Sequence, residues 1–153
     1  MRKKNQMTIR LQDVDESNWR DCSDLQLAEE EREFISSNVY VIAEWKFETE
    51  SALKAIYSDT ELVGMLAYYL HDGEHGYFYW LYHLMIQKKY QGKGYGEAAV
   101  RLAVKEMNQL GATEIRTMYM PGNIRSQNLF KKLGFDEIGT LDGGDIFLRL
   151  SSI

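Results

Sequence analysis

The stretch Trp80–Leu110 constrains the fold most, because its pattern changes from that of a strand to that of a helix across a glycine-rich turn. Residues 80–86 form a short apolar run rich in aromatic and branched side chains, which predicts a largely buried strand. Apolar residues then recur at helical spacing over Glu97–Leu110, and Gly111 is a typical helix stop. Three glycines separate the two parts at every second position: Gly92, Gly94 and Gly96. The turn therefore delivers the chain into a helix N-terminus.

Such a turn can bind an anion, since glycines let the backbone approach a ligand and the first N–H groups of a helix lack helical partners. The Walker phosphate-loop pattern is absent, and the dinucleotide pattern fails because Glu97 stands at its third glycine. The sequence of the turn instead matches the pattern Gln/Arg-x-x-Gly-x-Gly/Ala, through Gln91, Gly94 and Gly96. A phosphate-binding turn of another type is predicted.

A second motif lies downstream in Gly122–Phe135, where Asn123 opens a predicted helix that ends in Leu-Gly-Phe. Together the two motifs, at this separation, resemble the acetyl-CoA loop and second signature of the GNAT superfamily of N-acetyltransferases. The resemblance extends over essentially the whole chain, so residues 1–153 are expected to form a single GNAT domain.

The predicted element order supports an α+β fold, a mixed and mostly antiparallel sheet of about seven strands with helices on both faces. Strands are expected at 7–11, 53–57, 62–70, 77–86, 112–120, 135–138 and 146–150. Helices are expected at 19–25, 38–47, 97–110 and 124–133, and residues 71–76 are expected to form a loop.

The resemblance implies that acetyl-CoA is the cosubstrate, held where the strand ending at Ile86 and the strand starting near Ala112 splay apart. Backbone groups of three residues would bond the pantetheine amides: Leu84, Met85 and Ile86. Backbone N–H groups of the glycine turn would hold the pyrophosphate, with Lys93 adding charge: Gln91, Gly92, Lys93, Gly94, Tyr95 and Gly96. Asn123 would flank the thioester end, and Phe130 would shape its pocket.

Acetyl transfer to an alkyl amine requires loss of a proton, because with a pKa of about 10.4 only roughly one molecule in a thousand is the free base at neutral pH. In the spermidine/spermine and diamine acetyltransferases, which the chain resembles, carboxylates stand where this chain has Tyr82 and His83. His83 is expected to titrate in the useful range and to relay a proton, and Tyr82 to position water or the amine. Strand alternation predicts that at most one of them faces the pocket, and both could instead be packed sheet residues.

The leaving thiolate has no evident acid. Many GNAT enzymes have a tyrosine in the second signature where this chain has Phe130, so the thiolate leaves unassisted, Tyr119 serves, or turnover is slow. A covalent intermediate would require Cys22, which lies in the first predicted helix with no evident base beside it, so direct attack by the amine is expected.

The acidic run over Gln26–Ser37 has two interpretations. Its carboxylates could form the solvated face of a helix. Alternatively, since this segment covers the acceptor pocket in the GNAT fold, Glu30 and Glu33 would join Tyr82 in contacting a cationic acceptor.

The composition restricts the classes of partner that the protein is expected to bind. The net charge of −5, from 23 acidic and 18 basic side chains among 153 residues, argues against nucleic acid or an anionic membrane surface and permits a cationic substrate. Neither a disulfide nor a metal is expected from the single Cys22 and three scattered histidines. Polar Asn5 and Gln6 follow the basic N-terminus instead of an apolar signal core, which predicts a cytoplasmic protein.

The sequence thus predicts a cytoplasmic, acetyl-CoA-dependent N-acetyltransferase acting on a primary amine, with a polyamine such as spermidine or spermine as the leading acceptor. A peptide or protein N-terminus and an aminoglycoside are alternative acceptors. A GNAT-fold acyl-CoA-binding regulatory protein with little turnover is the alternative from another class. A homodimer is expected by family analogy alone.

Overall fold

The computed structural model describes residues 8–73 and 76–151. Met7 of the first predicted strand and His75 of the predicted loop lie outside these ranges. Seven strands are present in them: β1 (Ile9–Asp13), β2 (Ser51–Ser58), β3 (Glu61–Gly73), β4 (Gly76–Ile86), β5 (Ile115–Tyr119), β6 (Asp136–Thr140) and β7 (Ile146–Leu150). The four α-helices are α1 (Trp19–Ser23), α2 (Asn38–Trp45), α3 (Tyr95–Gln109) and α4 (Ile124–Lys132).

The strands form one mixed sheet in the order β1-β2-β3-β4-β5-β7-β6. Every neighbouring pair is antiparallel except β4 and β5, which run parallel. Helices cover both faces, α3 and α4 on one and α1 and α2 on the other. The predicted fold class is confirmed.

The α3 helix packs through the stripe that its spacing predicts. Its fully buried side chains belong to the larger core cluster: Ala99, Val100, Ala103 and Met107. On the opposite face, Cys22 of α1 and Val41 of α2 are fully buried in the second cluster. Fully burying a Val or Met side chain contributes about 1.5–3 kcal/mol, so the two clusters hold the helices on the sheet.

The parallel pair β4–β5 is very short. The two strands pair only at Tyr79 with Ile115 and at Trp80 with Arg116. At the next position the Thr117 hydroxyl donates to the Leu81 carbonyl at 2.9 Å, where a backbone bond would otherwise continue the ladder. Within the described residues, the β4 edge beyond Leu81 has no strand partner on its β5 side.

A β-bulge interrupts β4 at the same level. Ala67 pairs with His83 and Tyr68 with Leu81, so Tyr82 is an extra residue without a partner on β3. As a result both Tyr82 and His83 contact α2, the first through the Trp45 ring at 4.9 Å and the second through a hydrogen bond to Asn38. Both residues also line the cavity between β4 and β5, so the expectation that at most one of them faces the pocket is wrong; the bulge breaks the alternation.

Two segments differ from the predicted elements. β3 and β4 extend into the predicted loop at 71–76, where His71 stacks on Phe78 with ring centroids 4.4 Å apart, and such cross-strand pairs stabilise a hairpin. The acidic run forms only a 3₁₀ turn at Glu29–Glu31. Its start is held by a bond from the Lys88 N–H to the Gln26 carbonyl, so tertiary contacts override helix propensity.

The hydrogen bond at the strand separation predicts the effect of Thr117→Val. Valine has nearly the same shape, but it leaves the buried Leu81 carbonyl without this donor, which we expect to lower the free energy of unfolding by about 1–3 kcal/mol. Urea unfolding measures the difference, with Thr140→Val at an exposed position of β6 as the matched control. An unchanged free energy for Thr117→Val would show that the hydroxyl does not hold the junction.

Candidate functional site

Two adjoining cavities lie along the separated strands. The larger is a groove of about 470 Å³ between the end of β4, the glycine turn and α4, and the smaller is a cavity of about 130 Å³ between β4 and β5. They share three lining residues: Ile35, Leu84 and Ser126. The groove and the cavity therefore form a continuous path along the unpaired edge of β4.

At one end of the groove, the glycine turn presents backbone N–H groups. Gly92 and Gly94 have φ values of 75° and 84°, in the left-handed region that glycine adopts without strain. The first bond of α3 runs from the Ala98 N–H to the Gly94 carbonyl at 3.1 Å, so the N–H groups before Ala98 have no helical partner. With the positive end of the helix dipole, these N–H groups provide the features that an anion requires.

Gln91 has a different role from the one predicted. Its backbone N–H donates to the Lys88 carbonyl at 3.2 Å, so that group is already used within the turn. Its side-chain amide donates to the Ile86 carbonyl at 2.9 Å and accepts from Arg125 at 2.6 Å. Gln91 thus ties the turn to the end of β4 and to α4, and the anion-binding N–H groups start after it.

The charges around the turn suit an anion. Arg125 lines the groove, whereas Lys93 is exposed and lies outside the lining. Glu97 in the first turn of α3 is paired with Lys132 at 2.9 Å and Arg101 at 3.0 Å, and these bonds, Lys132 first, lower the pKa of its carboxyl. The Glu97 charge is therefore compensated by the protein.

The structure brings most of the predicted cofactor residues together. Eight of them line the groove: Leu84, Met85, Ile86, Gln91, Gly92, Gly94, Tyr95 and Gly96. Asn123 and Phe130 line the smaller cavity instead. Asn123 is buried and caps α4, its side-chain oxygen accepting from the Ser126 N–H at 3.2 Å.

His83 lines the smaller cavity but does not titrate near neutral pH. Its Nε2 lies 2.9 Å from the Asn38 Oδ1, and the Asn38 amide nitrogen donates to the Cys22 carbonyl at 2.9 Å. This network assigns the hydrogen to Nε2 of His83. Burial lowers the pKa of His83 to about 4, so the expectation that it titrates in the useful range is wrong.

Tyr82 forms the wall next to His83. Its ring contacts Trp45 at 4.9 Å and Tyr69 at 6.3 Å between centroids. Burial, and then a hydrogen bond to the Glu44 carboxylate, raise the pKa of the Tyr82 phenol well above its usual value. Tyr82 is therefore neutral, with its proton directed at Glu44, and it is unsuited to act as a base at pH 7.

On the other side of the cavity, Phe130 and Tyr119 stand where an acid for the leaving group was considered, and neither has a free proton to donate. Phe130 packs edge-on against Phe135 at 5.3 Å. The Tyr119 hydroxyl donates to the Glu137 carboxylate at 2.6 Å, and burial, then this bond, raise its pKa to about 12. The Tyr119 proton is thus held away from a leaving group.

The acidic residues are arranged differently from the prediction. Glu30 and Glu33 are exposed and belong to neither cavity lining, so nothing in the structure supports their predicted contact with the acceptor. Glu31 and Glu44 instead each have a buried Oε1 atom with no hydrogen-bond partner among the described residues. Neither residue stands out in the sequence, because both belong to polar stretches without a periodic pattern.

Cys22 is buried, and burial raises the pKa of its thiol to about 11, which removes it as a nucleophile. Among residues 8–73 and 76–151, no three His, Cys, Asp or Glu side chains converge on a point that could hold a metal ion. Within the same residues, the helices are all too short or too polar to span a membrane.

Comparison with known proteins indicates a protein family. The model of the acetyltransferase (GNAT) family matches residues 12–135. A probable spermine N(1)-acetyltransferase of Bacillus subtilis subsp. natto is 26% identical over 142 residues, which cover 89% of this chain and 93% of that protein.

Two solved structures share the fold. The aminoglycoside acetyltransferase AAC(6')-Ib in complex with coenzyme A superposes with a TM-score of 0.78 at 18% identity, covering 95% of each chain. The PaiA N-acetyltransferase of Thermoplasma acidophilum in complex with coenzyme A has a TM-score of 0.68 at 17% identity, covering 95% of this chain and 99% of that one. At these identities the likeness shows the fold alone.

The buried His83 predicts a pH-dependent stability. Since its pKa falls from 6.5 in the unfolded chain to about 4 in the folded one, the unfolded chain binds the proton more readily between these values. This contribution is complete above about pH 6.5 and is lost as the pH falls toward 4. Between pH 7 and pH 5 we expect the wild type to lose about 2 kcal/mol more than His83→Gln, which keeps a donor toward Asn38.

Denaturant unfolding at the two pH values measures this difference. His71→Gln is the control, because that ring stacks on Phe78 outside both cavities. Equal losses in the wild type and His83→Gln would contradict the assignment of a buried neutral ring.

Proposed function

We propose an activity for this chain, which belongs to the acetyltransferase (GNAT) family. In this proposal the protein transfers the acetyl group of acetyl-CoA to a primary amine by direct attack within a ternary complex, and a polyamine such as spermidine or spermine is the leading acceptor. Acetyl-CoA supplies the acetyl group as an activated thioester. The cytoplasmic location and the homodimer predicted above remain predictions.

One observation carries the proposal: the unpaired N–H groups before Ala98 and the unpaired edge of β4 line the same groove. The first set fits a diphosphate, and an open strand edge fits an extended chain containing amides. Coenzyme A contains both groups in this order. The residues present therefore fit the cosubstrate, with Gly92–Gly96 at its diphosphate and Leu84–Ile86 along its pantetheine arm.

Neither residue predicted as the base is a strong one. His83 is neutral, with the Nε2 hydrogen donated to Asn38, and Tyr82 keeps its phenolic proton. We therefore assign them the task of holding the amine, His83 through the lone pair of Nδ1 and Tyr82 through its hydroxyl. The acceptor then reacts as the free base, whose fraction rises about tenfold per pH unit below its pKa.

The leaving group also departs without a protein acid. Phe130 has no proton to donate, and the Tyr119 hydroxyl is bonded to Glu137. A thiol pKa of about 8.5 makes the thiolate a fair leaving group at neutral pH, so this step needs little assistance.

A cationic acceptor is favoured by the groups behind Tyr82. Trp45, Tyr69 and Tyr82 form an aromatic cluster, of which Tyr82 lines the smaller cavity. Glu44 lines neither cavity, but it lies beside Tyr82, and its buried Oε1 has no hydrogen-bond partner among the described residues. Aromatic faces and a carboxylate both attract an ammonium group. The name of the Bacillus relative and the net charge of −5 are consistent with a polyamine.

A second candidate is an acyl-CoA-binding protein with little turnover. The specific observation in its favour is that Tyr82 and His83 are not strong bases and that the Tyr119 proton is bonded to Glu137.

Amine-dependent release of CoA separates these functions. Purified protein is given acetyl-CoA with spermidine, spermine, butylamine, a peptide with a free N-terminus, or kanamycin, and the free thiol is followed over time. We expect the highest kcat/KM with the polyamines. Glu44→Gln should raise the KM for the polyamine about tenfold, the effect of losing one charge-assisted hydrogen bond, and Glu33→Gln should leave it unchanged.

Three other results are informative. Preference for the peptide or kanamycin would contradict the polyamine assignment. CoA binding without release by any amine would support the binding protein instead. An unchanged KM in Glu44→Gln would remove the aromatic and acidic wall from the acceptor site.

A further inference from the structure

One carboxylate of the acidic run differs from its neighbours. Glu31 is 9% exposed, whereas Glu29, Glu30 and Glu33 are exposed. It lies at the end of the 3₁₀ turn, and its N–H closes the turn by donating to the carbonyl of Ala28, whose side chain is buried, at 3.0 Å. The backbone therefore directs this one carboxylate inward.

The buried carboxylate is not satisfied by the protein. Its Oε1 has no hydrogen-bond partner, and no ion pair with Glu31 occurs among the described residues. Leaving a buried acceptor unpaired costs about 1–3 kcal/mol, and more for a charged group. A buried carboxylate that lowers the stability of the ligand-free protein in this way is a candidate for contact with a ligand.

Glu31 lines the groove rather than the smaller cavity. Leu84, Met85 and Ile86 of the unpaired β4 edge line the same groove. The Ile35 N–H donates to the Glu31 carbonyl at 3.1 Å, so the two residues are one turn apart, and Ile35 lines both the groove and the cavity. Glu31 therefore lines the groove in which the arm of the cosubstrate is proposed to lie, whereas Glu44 does not.

We propose that Glu31 is a cofactor-binding residue whose carboxylate accepts a hydrogen bond from an N–H or O–H group of the pantetheine arm. The inference rests on the proposed function, which places that arm along Leu84–Ile86. Pantetheine has two amide N–H groups and a hydroxyl, all neutral donors. The phosphates, which a carboxylate would repel, bind at the glycine turn at the far end of the groove.

Neutral donors make a specific demand on position 31. These N–H and O–H groups need an oxygen at position 31 that accepts a hydrogen bond, but they need no negative charge, so glutamine can replace glutamate and an apolar side chain cannot. An ammonium group of the amine substrate would instead need the negative charge, which glutamine lacks. Glu31→Gln therefore distinguishes the two ligands.

The test measures CoA binding by calorimetry and amine KM by the thiol assay. We expect Glu31→Met, an apolar side chain of similar length, to weaken CoA binding about tenfold, and Glu31→Gln to stay close to the wild type. Glu31→Leu gives the same measurement if the methionine variant does not fold, and Glu30→Met is the exposed control. Without ligand, Glu31→Met should raise Tm by about 2–4 °C, because it removes the unpaired oxygen.

A merely structural role of Glu31 would not produce weaker CoA binding together with a higher ligand-free Tm in Glu31→Met. CoA affinity equal to wild type in both apolar variants would overturn the inference while leaving the proposed function intact. So would a raised amine KM in Glu31→Gln with unchanged CoA affinity. Failure of the wild type to bind CoA would overturn the proposed function itself.

Discussion

The early end of the β4–β5 ladder is the constraint on which the site depends. Two residue pairs join these strands, and the Thr117 hydroxyl then closes the ladder at the Leu81 carbonyl. At the other end of β4, the Gln91 side chain covers the Ile86 carbonyl. Between these two side-chain bonds the backbone edge stays open, which an ordinary sheet interior would not allow. Specific side-chain contacts therefore mark both ends of the opening.

Burial determines what the residues beside this opening can do. The bulge at Tyr82 turns two consecutive side chains toward α2, and the low-polarity surroundings keep both of them neutral. The same burial leaves one carboxylate oxygen each of Glu31 and Glu44 without a hydrogen-bond partner among the described residues. We propose that the protein supplies position and hydrogen bonds and leaves proton removal from the amine to the solvent. In this proposal Glu31 contacts the cosubstrate and Glu44 contacts the acceptor.

The sequence predicted the parts whose signal is local. The glycine turn, the α3 stripe and the strand before them follow from periodicity and backbone requirements, and eight of the cofactor residues predicted by family resemblance do line one groove. The features that could not be predicted from the sequence depend on contacts between residues that are far apart in the chain. Asn38 holds His83 from forty-five positions away, Arg125 reaches Gln91, and the docking of Gln26 onto Lys88 prevents a helix in the acidic run. The bulge also has no local signature, so alternation alone gave the wrong orientation for Tyr82 and His83.

We propose that backbone N–H groups between Gly92 and Glu97 bind the diphosphate of coenzyme A. NMR of the ¹⁵N-labelled protein can compare the amide shifts on addition of coenzyme A with those on addition of pantetheine, which has no phosphate. We expect coenzyme A to shift the amides of Gly92–Glu97 most strongly, and pantetheine to shift only residues along β4 and around the adjoining groove. Unchanged amide shifts of Gly92–Glu97 at saturating coenzyme A would show that these groups do not bind the diphosphate.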